Sequence, residues 1–263
     1  MIKSLYVITF IFLTLAFSAF GQSNTEIEQE LVGHIQNIQK WSNYTDDYNE
    51  DLLAKENELF KKKFVGYTKI ASTLKHQFNE LEKYLYLNTS EDGKLRIYSW
   101  DTESGGTMHF FCTIYQFQGK DGKVYSEVTE YEEGDPGMFV SDIFDFDTNN
   151  GKVYLIRFTS VLSSVLSNES IDIFEIVDNS LNQKKLIKTK SGLTSSIGFE
   201  YDFFSVIDRK ENPRKLIHFE KENKTIKIPV VIEDKNFLNG GKVTDRFINY
   251  KFDGTYFLKQ KQK

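Results

Sequence analysis

Apolar residues recur at helical spacing from residue 25 to about 87 and at strand spacing after that, so the chain changes texture once. In the first stretch Ile27, Leu31, Ile35, Ile38 and Trp41 follow at intervals of 4, 4, 3 and 3, one stripe of an amphipathic helix. Ser23 with Glu26, or Thr25 with Glu28, has the spacing of a capping box at its start. Tyr48, Leu52, Leu59 and Phe60 mark a weaker helical stretch over 46–64. Tyr67, Ile70, Leu74, Phe78, Leu81 and Leu85 form the most regular stripe, and no proline interrupts the region. Two or three helices are predicted here.

Beyond Asn88 the turn signal Glu91-Asp92-Gly93-Lys94 opens a different pattern. Short β-favouring runs occupy 95–100, 107–117, 123–131, 139–146, 153–159, 171–177, 197–207, 215–219, 225–231, 243–252 and 256–258. Several are joined by hairpin-length turns: Gly119-Lys120-Asp121-Gly122, Asn149-Asn150-Gly151, Glu222-Asn223-Lys224 and Asp253-Gly254. Such connections predict antiparallel pairing. The expected fold class is therefore α+β, an N-terminal helical segment over 22–88 followed by an antiparallel β-meander over 89–263. That meander is expected as a sandwich or rolled sheet. A propeller-like arrangement is the alternative, because Trp100-Asp101 ends a strand in the manner of a propeller blade. In the run 107–117 both alternating faces are mostly apolar, which predicts a central strand covered on each side, with Cys112 in the core.

The first 21 residues read as an export signal. Lys3 supplies a positive start, residues 5–17 an apolar run too short to span a bilayer, and Ala19 and Gly21 the small residues of a cleavage site. A periplasmic or extracellular protein with no membrane span after cleavage is expected. Charge and cysteine content narrow the chemistry further. The 33 basic side chains against 38 acidic ones, a net charge of -5, argue against a nucleic-acid partner. A single cysteine excludes an internal disulfide and a cysteine-based zinc site.

No nucleophile elbow, HExxH helix, phosphate loop or dinucleotide fingerprint is present. Asp145, Asp147 and Asn149 resemble the start of a calcium loop, but Asn150 stands where the loop glycine belongs and Ile156 where the bidentate carboxylate belongs. A hairpin turn explains them better, and neither a metal nor a cofactor is expected. The densest polar and aromatic group is Arg96, Tyr98, Trp100, Asp101 and His109. Period 2 puts the first three on one strand face, and closure of a Ser104-Gly105-Gly106 loop would bring Asp101 and His109 beside Trp100. Such a group suits sugar recognition by stacking and hydrogen bonding, and equally suits aromatic packing within a hairpin.

The stretches GKLRIYSWDTESGGTMHFF (93–111), SGLTSSIGFEYDFFSVIDR (191–209) and GKVTDRFINYKFDGTYF (241–257) resemble segments of uncharacterised secreted β-rich proteins from Bacteroidetes-type bacteria. The resemblance covers the β-rich part of the chain. It implies export in a Gram-negative cell and carries no reaction, cofactor or catalytic residue. The expected function is a non-enzymatic binding or interaction protein whose partner is a protein or glycan at the cell envelope. The alternative is a hydrolase of glycans or cell-envelope polymers, acting through Asp101, His109 or an acidic residue of the 132–135 loop.

Overall fold

The computed structural model describes residues 22–129, 131–209 and 214–261; the expected export signal lies outside them. Two α-helices come first, α1 (Asn24–Lys40) and α2 (Glu50–Thr68). Ser23 caps α1 reciprocally with Glu26, and Asn49 caps α2 by accepting from the Leu52 N–H. The buried stripe of α2 is Leu53, Phe60, Phe64 and Thr68, while Leu52 faces outward.

The most regular apolar stripe is not a third α-helix. Tyr67 ends on α2, and the chain then makes two 3-10 turns, Ala71–Leu74 and Leu81–Lys83. Leu74, Phe78, Leu81 and Leu85 are nevertheless all buried, whereas Ile70 is exposed. Single turns satisfy a three-to-four spacing as well as a continuous helix does. Here they win because the Arg96 guanidinium captures the Thr73 and His76 carbonyls (3.1 and 2.6 Å), which a helix would have bonded internally.

Three sheets follow. The first is the meander β1 (Tyr86–Thr89), β2 (Leu95–Asp101), β3 (Phe111–Gln118) and β4 (Val124–Val128). The second holds β5 (Phe139–Thr148), β6 (Gly151–Val161) and β7 (Leu166–Val177). Beside β7 lie the short β8 (Ser180–Gln183) and, after β9 (Ile187–Thr189) and β10 (Gly192–Thr194), β11 (Ser196–Asp202). The third sheet has the order β10-β9-β15-β14-β13-β12, with β12 (His218–Glu220), β13 (Thr225–Ile232), β14 (Lys242–Phe252) and β15 (Phe257–Lys259). All pairings are antiparallel except β15 with β9. The four expected turns each join neighbouring antiparallel strands. The sheets are stacked, not set radially around an axis, so the propeller-like alternative does not hold.

The stacking has four layers: helices, first sheet, second sheet, third sheet. Along β6, Val153 and Leu155 point into the cluster shared with the third sheet, and Tyr154, Ile156 and Phe158 into the cluster shared with the first. Along β2, Leu95 and Ile97 meet the second sheet while Tyr98 and Trp100 meet the helices. β3 is central, as its two apolar faces predict: Ile114 and partly buried Cys112 lie under the helices, and Phe117 faces the second sheet. A β-bulge after Val140 lets Val140 and Ile143 face the same cluster although they are an odd number of residues apart.

Two polar anchors hold the layers in register. Asp145, near the end of β5, is buried and accepts the Glu91 and Asp92 N–H groups and the Lys152 ammonium, tying the β1–β2 turn to the β5–β6 hairpin. Glu169 on β7 is fully buried and accepts the N–H groups of Leu216 (2.8 Å) and Ile217 (2.5 Å), fixing the chain that enters the third sheet. Burial lifts the Glu169 carboxyl from 4.5 to about 7, against the pull of those N–H donors and of Arg157 and Lys215.

Two predictions follow from this packing. Trp100→Ala removes a ring packed edge-on against Phe60 at 4.9 Å, and should cost about 3–5 kcal/mol in a denaturant melt. Because the folded-state pKa of Glu169 lies above its unfolded value, its contribution to stability is full below pH 4.5 and is lost as pH rises through about 7. Glu169→Gln keeps an acceptor for both N–H groups without the charge. Its melting temperature relative to the parent protein should therefore rise between pH 5 and pH 8; a constant difference would show that Glu169 does not change its protonation over that range.

Candidate functional site

The five expected site residues divide into a buried set and a surface pair. Arg96, Tyr98 and Trp100 do share one face of β2, but that face lies under the helices, and each is at least nine-tenths buried. Tyr98 packs on Phe64 and Phe78, and its hydroxyl donates to Gln116 Oε1 at 2.7 Å. Gln116 in turn donates to the Thr68 carbonyl at the end of α2 and to the Thr73 hydroxyl. Arg96 donates to Thr89 as well as to the two carbonyls of the 3-10 segment. These side chains are scaffold: the aromatic surface that suggested stacking is spent on α2.

Asp101 and His109 do meet. The loop between β2 and β3 folds back so that His109 Nδ1 lies 2.5 Å from Asp101 Oδ2. Gly105 permits the fold, since a Cβ there would sit 2.0 Å from the Met108 carbonyl oxygen. The segment after α1 clamps the loop from outside: Asn43 donates to the Gly105 carbonyl, Tyr44 to the Gly106 carbonyl, and Ser42 to the Glu103 carboxylate. The Tyr44 ring stacks on His109 at 5.5 Å. Glu103 has a left-handed backbone (φ 57°), held by its N–H bond to Asp101 Oδ1. Burial, reinforced by the Asp101 charge, keeps the Glu103 carboxyl above its usual range despite the bond from Ser42.

This pair forms one wall of a cleft where the ends of the first two sheets converge. Two adjoining hollows of about 610 and 460 Å3 share Glu82, Lys83, Leu85, Tyr86 and Arg214. The smaller also takes in Tyr84, Asp101, Glu103, His109 and Phe111; the larger takes in Asn88, Phe139, Ser141 and Lys215. Tyr86, at the start of β1, is 41% exposed, and its ring lies flat on Phe139 at 4.0 Å with 19° between planes. Burial raises its phenol above the usual range, with the Arg214 charge opposing.

Sequence reasoning missed Tyr86, Phe139 and Arg214. Tyr86 sat at the foot of an apparent helix, and Phe139 is brought to the cleft by the packing of two sheets that no local pattern records. The acidic loop does not contribute: Glu132, Glu133 and Asp135 are exposed and lie outside the cleft lining. A larger depression of about 740 Å3 lies at the β13–β14 connection, lined by Glu200, Glu233, Asp234 and Lys235. The cleft is the better site because a backed aromatic ring, a bonded Asp–His pair and fixed cations converge there. No family model matches this chain, and no curated protein or solved structure shows significant similarity to it, so the chemistry of the cleft rests on its own residues.

Proposed function

We propose that this is an exported, non-enzymatic binding protein of the cell envelope that takes a glycan in the Tyr86 cleft. The observation that carries the reading is the half-exposed Tyr86 ring, backed face to face by Phe139 and lining both hollows. An aromatic ring held rigid from behind offers a flat apolar surface to the C–H face of a sugar at little entropic cost. Asp101, His109 and Asn88 around it supply hydrogen-bonding groups for hydroxyls. The export pattern of residues 1–21 supports an envelope setting.

A second reading has its own observation. A histidine whose Nδ1 is tied to a carboxylate presents Nε2 as an oriented base, the arrangement from which a hydrolase activates water. Asp101 and His109 would then carry hydrolysis of a glycan or envelope polymer.

Tyr86→Ala should weaken glycan binding at least tenfold, about 1.4 kcal/mol, while moving the melt little, as read by calorimetric titration and thermal unfolding. Unchanged affinity would end the assignment of the ligand to this cleft. Under the hydrolase reading the parent protein releases reducing ends from the polymer, and Asp101→Asn lowers that rate by about 100-fold or more; turnover indifferent to Asp101→Asn removes the pair from any catalytic role.

A further inference from the structure

The cleft is electrically polarised. Its larger hollow carries Lys83, Arg214 and Lys215 against one carboxylate, Glu82. Its smaller hollow shares Lys83, Arg214 and Glu82 but lacks Lys215, and adds the carboxylates of Asp101 and Glu103 beside His109, so the balance of charge reverses from one hollow to the other. Tyr86 lines both. A gathering of three cations runs against the trend of a chain with net charge -5.

Two of the cations are fixed from beneath. The Arg214 guanidinium lies over the Phe203 ring at 4.7 Å. Lys215 Nζ is 3.1 Å from Asp142 Oδ2, and that carboxylate also receives Arg157. Immediately downstream, Glu169 holds the N–H groups of Leu216 and Ile217. Positions 214 and 215 are therefore placed by the second sheet and do not depend on the ligand for order. Lys83 is different: it is an exposed side chain paired with Glu80 on the same short turn.

Building on the binding reading, we propose that the ligand is an acidic saccharide in which a uronate residue alternates with a neutral sugar. The uronate carboxylate would face Arg214 and Lys215, its ring or its neighbour's would stack on Tyr86, and the neutral sugar would occupy the hollow walled by Asp101 and Glu103. Arginine suits a carboxylate because its planar fork donates two parallel hydrogen bonds. The alternation follows from polarity: a second carboxylate one residue along would meet Asp101 and Glu103, and like charges at that range repel. A neutral sugar there can instead donate hydroxyl hydrogens to those carboxylates. A wholly neutral chain would leave the cationic end unmatched.

The test titrates the purified protein with three tetrasaccharides of equal length: alternating glucuronate and N-acetylglucosamine, the neutral N-acetylglucosamine chain, and the all-acidic galacturonate chain. The alternating chain should bind at least tenfold more tightly than either other, and its advantage over the neutral chain should shrink on going from 0.05 to 0.5 M salt. Lys215→Gln should weaken the alternating chain three- to tenfold and leave the neutral chain unchanged. Lys83→Gln, at an exposed position, should act in the same direction without touching the fold. If the neutral chain binds as well as the alternating one, the glycan-binding reading stands and the charge assignment falls. Tightest binding by the galacturonate chain overturns the alternation. If none of the three binds, the binding reading and this extension of it both fail.

Discussion

The second sheet is buried on both faces, and the rest of the molecule is arranged by that constraint. Strict alternation along β6 sends Val153 and Leu155 one way and Tyr154, Ile156 and Phe158 the other, so neither face can stay in water. The first and third sheets supply the two covers, and the first sheet, itself apolar on its outer face, needs α1 and α2 as a fourth layer. With the faces closed, the ends of the strands and the loops joining them are what remain for chemistry. The cleft lies at such an end, where the start of β1 and β5 meets the finish of β2 and β6.

Burying so many faces leaves polar groups that must find partners inside. The first sheet solves this with Gln116, which donates to the Thr68 carbonyl closing α2 and is itself held by the Tyr98 hydroxyl, and with Arg96, which donates to the Thr73 and His76 carbonyls in and after the 3-10 turn. The helix end is thus completed by a strand, and the helical layer is positioned by hydrogen bonds as well as by aromatic packing. The second sheet uses Glu169 in the same way on the far side. Both devices also set the cleft: the first by placing the chain that leads into Tyr86, the second by placing the one that carries Arg214 and Lys215.

The strand runs were legible because hairpin turns and period-2 alternation are local. The β-strands that escaped notice are β1, β8, β9 and β10, which are short, and the last three are largely polar and lie at or near sheet edges. The run 197–207 was overextended, since a 3-10 turn at Phe203–Ser205 follows β11, capped by the Asp202 carboxylate. The run 107–117 likewise begins late, because residues up to Phe110 belong to the loop that carries His109. Asp101 and His109 were legible as a pair because a short loop with two glycines limits how far apart they can fall.

By itself the sequence determined the class of the fold and the central position of β3, which follow from periodicity and turn chemistry, while the approach of Asp101 to His109 was conditional on closure of the loop between them. Tertiary structure alone decided which face of β2 met helix and which met sheet, and with that the fate of Tyr98 and Trp100. A large aromatic on a strand looks the same to a local pattern whether it will stack on a ligand or on Phe64. Tertiary structure also brought Tyr86, Phe139 and Arg214 together from three distant segments. No spacing along the chain encodes such a convergence, because it arises only when four apolar layers are forced to share their buried faces.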